Sequence, residues 1–410
     1  MKRDDGWKGA RPVSSCRRWR ARAGCALLTF ALVLPVLAEP NPQQVERDGN
    51  GWVQEISGPL SGEKVLQVTH FLGSVKVVTG NQAGRYILRL HSQQALEKDA
   101  RKQFTSFHLG VSRKSGETLL QTVGLIDLAI RPELIIQLPS ITENVHVDTL
   151  AGKITIHGNV NHLDLQTHGG DIEIDEAEQL RAVTMGGSVT VNHRVGDSSI
   201  RTGGGDIRVD SSVGDMEIIS LGGSIFLKAV AKARVQAGGG NIEVVRCLGP
   251  LLVHTAGGNI NLGEMDGAVS AETGGGNIHI GVAHGEVVVS TALGNIELWK
   301  LSEGAQAHTG MGRITAEFIG NRNSMRDSEL VTSMGDILVY FANSVPGNLH
   351  AVTGTSPTRH IVSDFPELKI SKGVTAYGPH SIDAIGAIHG GGPPIEVRTM
   401  AGQIELRNAH

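Results

Sequence analysis

From Gly152 to Gly312 the chain alternates apolar and polar residues around a glycine that returns every 17 or 18 positions. Two residues after each such glycine stands Ile or Val: Ile154, Ile172, Val189, Ile207, Ile225, Ile242, Ile260, Ile278, Ile296 and Ile314. Four residues after it stands a second aliphatic side chain, as at Ile156, Val191, Val244 and Leu298, with Ala316 the weak case. Alternation with a period of two marks a half-buried strand. The same parity runs ahead of the glycine, with aliphatics five before it (Val147, Leu165, Ile200, Val253) and mostly Thr three before it (Thr149, Thr167, Thr202, Thr255, Thr309). Each unit therefore predicts a strand, a glycine-rich bend and a second strand. A bend such as Gly203-Gly204-Gly205 calls for positive φ and close backbone approach, which a residue without Cβ supplies.

A two-strand unit this short cannot bury its apolar side alone. Stacking each unit on the next solves that problem, so the predicted fold class is all-β: a single-chain parallel β-solenoid (β-helix) of ~18-residue coils with a small α+β N-terminal cap. Coils about 4.8 Å apart would make a rod of roughly 50 Å. Equivalent residues would then form columns: Ile and Val inside, Thr beside the bend, and a structural ladder of Asn241, Asn259, Asn277 and Asn295. Amides in such a column can hydrogen-bond from layer to layer, although Asn is also simply a tolerated turn residue.

The flanks read differently. Residues 1–38 have the form of a signal peptide: Arg17, Arg18, Arg20 and Arg22 precede an apolar run from Ala26, and Val36-Leu37-Ala38 offers a small-residue cleavage site before Glu39. Cys16 and Cys25 would leave with it, and Cys247 alone cannot form an internal disulfide, so it reads as a buried thiol. No later stretch is long and apolar enough to be a transmembrane span. Residues 39–143 read as an N-terminal cap with strands and one helix over 93–107, Ser92 as its N-cap and Leu96, Ala100 and Phe104 on one stripe. Such a cap would cover the open edges of the terminal coil. Residues 144–342 are the solenoid repeats, with an insertion at 321–327. Residues 343–410 read as an irregular loop at 346–389 and a closing coil around Gly402.

The phrase Gly-Gly-Asp/Asn-Ile-x-Val, as in Gly169-Gly170-Asp171-Ile172-Glu173-Ile174 and Gly239-Gly240-Asn241-Ile242-Glu243-Val244, resembles the bacterial beta-strand-repeat family labelled "putative adhesin", a domain of unknown function. The resemblance covers residues 143–342 and the closing coil. It implies an exported, repeat-built all-β protein and brings no catalytic or binding residues with it. Calcium rolls of the repeats-in-toxin type need a second Gly and an inner Asp that this phrase lacks. Hexapeptide helices need three similar sides per coil, which these units do not show.

Candidate chemistry is sparse. Outward positions three after the glycine (Glu173, Thr190, Arg208, Phe226, Glu243, Asn261) place no two carboxylates in adjacent coils, as paired acid and base catalysis would want, and read as a solvated face. Asp171, Asp206 and Asp336 follow bend glycines, where Asp commonly bonds its own backbone. His254, His279 and His284 lack the short spacing of a zinc site. Strands rather than helices follow the glycine triplets, so these are bends and not phosphate cradles. A net charge of -4 argues against nucleic acid. With 4% aromatic residues, the exported chain would keep only Trp52 and Trp299 among its tryptophans. Trp299 reads as an exposed loop aromatic just past a strand and is the tentative binding residue, the plainer reading being a loop residue packed on its neighbour.

The expectation is an exported non-enzymatic surface or envelope protein, an adhesin or binding scaffold for a protein or glycan, in the periplasm, on the outer surface or secreted. No cofactor or metal is expected, and self-association through an uncapped end coil is an open third case. The rival is a periplasmic polysaccharide-binding or polysaccharide-degrading β-helix protein, an inference from fold analogy alone.

Overall fold

The computed structural model describes residues 45–409 except 61–63, 82, 115, 124–128, 141, 355–359 and 374–380. Residues 1–38, expected to be a signal peptide, lie outside the described residues. Among those described, no helix is long and apolar enough to cross a membrane. Among the described residues the fold is all-β with one helix, and its strands form a long, mostly parallel, solenoid-like stack.

The two segments of each repeat build the two faces of that stack. After the glycine, Ile242 pairs with Ile260 and Ile260 with Ile278. Before it, Val253 pairs with Ala271 and Ala271 with Val289. All six side chains are essentially fully buried, and each large aliphatic so enclosed contributes about 1.5–3 kcal/mol. From Ile154 to Ala237 both segments of a unit belong to one continuous bent strand, as in Ile172–Thr184, with a bulge where the chain turns the corner. Beyond that, the strand is interrupted at the same corner, at Gly249-Pro250, Gly267 and Gly285. The unit then splits into pairs such as Ile242–Cys247 and Leu251–Thr255; Pro250 cannot donate to the ladder, whereas glycine alone does not break it, since Gly196 and Gly214 hold the same position within continuous strands.

Of the two causes the bend predicts, positive φ and close backbone approach, the second accounts for most of the glycine column. Only Gly73, Gly152 and Gly335 take positive φ there. At the others the constraint is proximity: a Cβ on Gly276 would lie 2.0 Å from the carbonyl oxygen of Gly258, and one on Gly258 would lie 2.0 Å from that of Gly240. Neighbouring bend glycines such as Gly275 and Gly239 have open space instead. Threonine explains why the approach is so close. Thr273 donates its hydroxyl to the Gly258 carbonyl at 2.8 Å and accepts the Gly276 N–H at 3.2 Å, so one side chain ties two successive bends. Thr184, Thr202 and Thr255 do the same. We expect Gly276→Ala to lower unfolding stability by about 3 kcal/mol and Gly275→Ala to stay within about 0.5 kcal/mol of the parent. Denaturant melts of the two variants check this, and equal midpoints would remove the packing explanation.

The stack extends outside residues 144–342 at both ends. Val65–Leu72 and Ser74–Asn81 form a layer around Gly73 that pairs in parallel with Asn144–Ala151 and with the start of Ile154–Thr167. Glu117–Val123 and Ile130–Pro139 lie beneath it, and the antiparallel strands Gly84–Ser92, Gly51–Leu60 and Val45–Asp48 continue one face outward. The helix is shorter than the spacing predicts, Glu97–Phe104, with Leu96 in the N-cap position and no side-chain cap. Ser92 is the last residue of a strand, and its hydroxyl goes to Gln103. Ala100 and Phe104 are buried as the stripe requires, whereas Leu96 is exposed.

At the other end the closing layer is not outermost. Pro394–Ala401 pairs with Ser328–Met334 on one side and Gly347–Gly354 on the other, while Ile404–Asn408 lies between Ile337–Phe341 and Ile361–Ser363. Part of the segment expected to be irregular is thus a further layer. The alternation Leu349, Ala351, Thr353 is enough to make it a strand, and Thr353 donates to the Gly402 carbonyl at 2.7 Å in the manner of the other threonines.

Candidate functional site

On the face built from the strands ahead of each glycine, the positions eight and six before it line a groove of about 1310 Å³ running across successive layers from Val65 to Val288. Its two halves differ in chemistry. In the first, Arg181 donates to Asp164 at 3.0 Å, His146 sits 3.2 Å from the same carboxylate, and Lys232 meets Asp215 at 2.7 Å. Such exposed pairs contribute at most about 1 kcal/mol each, so they set a pattern of charge more than they hold the fold. In the second half Pro250, Leu252, Ala268 and Val288 take most of these positions, and Glu286 is the charge that lines it. Leu252 and Val288, 37% and 39% exposed, flank Ser270 along the strand register.

The face built from the strands after the glycine carries a polar network. Asn192 donates to both Glu173 and Asp175, at 3.2 and 3.3 Å. Lys153 and Asn192 hold the Glu173 carboxyl below its usual range. Burial pushes Asp175 up, but the Gly158 N–H, Asn192 and His157 outweigh it and hold it low as well. Both acids are thereby kept ionised, the opposite of what a general acid needs.

Asn241, Asn259, Asn277 and Asn295 stand in one column, and their bonds run from backbone to side chain: the Asn259 N–H donates to Asn241 Oδ1 at 2.9 Å, and Asn277, Asn295 and Arg313 repeat this at 2.8 Å each. Asp171, Asp206 and Asp336 belong to the same column. They accept the N–H of Ser188, Ser224 and Gln403 in the next layer rather than bonding their own backbone. The reason is that an acceptor just after the bend faces the N–H of the equivalent residue in the next layer, the one just before its strand. Trp299 lies within the strand Ile296–Leu301, half-buried and stacked on Tyr340 at 6.3 Å, rather than in a loop. Cys247 is a buried free thiol whose pKa burial pushes up, so it is a poor nucleophile.

His254 and His279 each face a single carboxylate one layer on, Glu272 and Glu297. His284 differs, because stacking brings it to both Glu264 and Asp266. Linear spacing hides that cluster, since its members are neighbours only across a layer.

No family model matches the chain and no curated protein does either. Among solved structures it is similar to a "putative adhesin" from Bacteroides fragilis NCTC 9343, at 12% identity over 87% of this chain and 97% of that one, with a TM-score of 0.20. A "putative cell adhesion protein" from Clostridium sporogenes ATCC 15579 matches at 8% identity over 87% and 100%, TM-score 0.16. A "putative lipid binding protein" from Parabacteroides distasonis ATCC 8503 matches at 10% over 88% and 98%, TM-score 0.21. At TM-scores this low the superpositions carry neither a partner nor an activity over to this chain.

Proposed function

We propose that the chain is an exported, non-enzymatic β-solenoid of ~18-residue coils that acts as an adhesin-like binding scaffold, holding an elongated partner along the groove. The observation that carries this reading is the groove itself, continuous across layers, densely charged at one end and carrying the exposed Leu252 and Val288 beside Glu286 at the other. Exposed apolar side chains aligned on a sheet face are what an interaction surface shows. A protein segment fits it better than a sugar, because no Phe, Tyr or Trp lines it.

A photo-crosslinking side chain at Leu252 or Val288 is expected to capture a partner in cells, whereas one at Glu243 on the other face is not, and Leu252→Asp should abolish capture from position 288 without shifting Tm. Equal capture from both faces would sink the groove as the binding site. The polysaccharide reading draws on a different feature, the half-buried Trp299 stacked on Tyr340 on the second face. Loss of polysaccharide binding in Trp299→Ala, or release of reducing ends by the parent, would favour it.

A further inference from the structure

The corner between the two faces holds a second, unrelated arrangement. Glu264 and Asp266 sit at the end of Ile260–Met265, and His284 occupies the position of Asp266 one layer on. One ligand atom from each lies within 4.8 Å of the others. His284 Nε2 is 3.9 Å from Asp266 Oδ1, too far for a hydrogen bond. Its Nδ1 is engaged on the far side by Ser302 Oγ at 3.3 Å. With Nδ1–H donating to that hydroxyl, the Nε2 lone pair faces two carboxylates, an arrangement that a cation relieves and that a ligating histidine shows when its other nitrogen is held. Elsewhere in the stack His146, His157 and His279 use Nδ1 to meet their carboxylates.

We propose that Glu264, Asp266 and His284 bind a divalent transition-metal ion of the zinc class. A tetrahedral ion about 2.1 Å from each ligand atom, with water in the fourth position, needs those atoms about 3.4 Å apart, so the side chains close by roughly an ångström from their separations of up to 4.8 Å. One imidazole with two carboxylates suits zinc, nickel or cobalt better than magnesium or calcium, which take oxygen ligands. Arg246 Nη2, 3.3 Å from Asp266 and 3.8 Å from Glu264, neutralises the pair without metal and is the group the ion displaces. The bound ion would fasten one layer to the next at a corner where the strands are interrupted.

The test is calorimetric titration of the untagged chain with zinc chloride, alongside thermal melts. The expected result is one zinc per chain and a Tm that rises with zinc. His284→Ala should weaken binding at least tenfold and Ser302→Ala about tenfold, Arg246→Gln should tighten it, and His279→Ala should leave it unchanged. Melting without zinc verifies that each variant folds like the parent. No zinc uptake, or uptake by His284→Ala with the parent's affinity, would overturn the proposal.

Discussion

Replacing Ile260 by aspartate is expected to lower unfolding stability by about 5 kcal/mol or more, while Asn261→Asp, one residue along, changes little. Ile260 has no exposed surface and lies between Ile242 and Ile278 in the same column, so the substitution removes an enclosed aliphatic group and leaves a carboxyl among hydrocarbons. Asn261 points outward. The sign of the pH dependence tests the mechanism. A buried carboxyl has its pKa raised above the unfolded value, so it folds protonated and the unfolded chain binds fewer protons. The deficit of Ile260→Asp should therefore narrow near pH 4 and widen as pH rises, whereas Ile260→Asn should be destabilised by an amount independent of pH. Denaturant melts at two pH values decide it. A variant that melts like the parent would mean the isoleucine column is not the core.

That column was legible in the sequence because burial imposes a strict alternation, and glycine at a fixed step fixes the phase. The Thr column was visible for the same reason, although its role as a tie between bends needed the geometry: nothing in the spacing says that Thr273 reaches back to Gly258. The groove was harder to see. Its outward column, read six places before each glycine, runs His146, Asp164, Arg181, Ser199, Glu217, Arg234, Leu252, Ser270, Val288, and its signal is the change from mostly charged residues to Leu252 and Val288 on either side of Ser270. The Glu264, Asp266 and His284 cluster could not be read from linear motifs, since two of its members are a full layer apart. The terminal layers were obscured for another reason. Pairing order in space need not follow order in the chain, and the alternation at Leu349, Ala351 and Thr353 marks a strand without saying which layer it joins.

A chain ending at Gly392 is expected to lose the protection of its last layers while the central ones keep theirs. The truncation removes Ile395, Val397, Ile404 and Leu406, all without exposed surface, a gross loss of roughly 6–12 kcal/mol of burial. It also leaves a gap, because these strands separate Ser328–Met334 and Ile337–Phe341 from Gly347–Gly354 and Ile361–Ser363. In a stack each layer touches only its neighbours, so the damage should stay local. Hydrogen exchange is expected to speed up across Gly347–Gly354 and its antiparallel partner Ser381–Ile388, to rise moderately in Ser328–Met334, and to stay unchanged from Ile172 to Thr291. If Gly347–Gly354 instead keeps its protection, the outer layer has dropped into the gap with Thr353 taking the Gly335 carbonyl that Thr399 normally holds. The order of layers would then be set by which strand arrives first rather than by the side chains of the closing coil. Uniform loss of protection along the whole chain would show that the layers unfold as one unit and would remove the nearest-neighbour account of its stability.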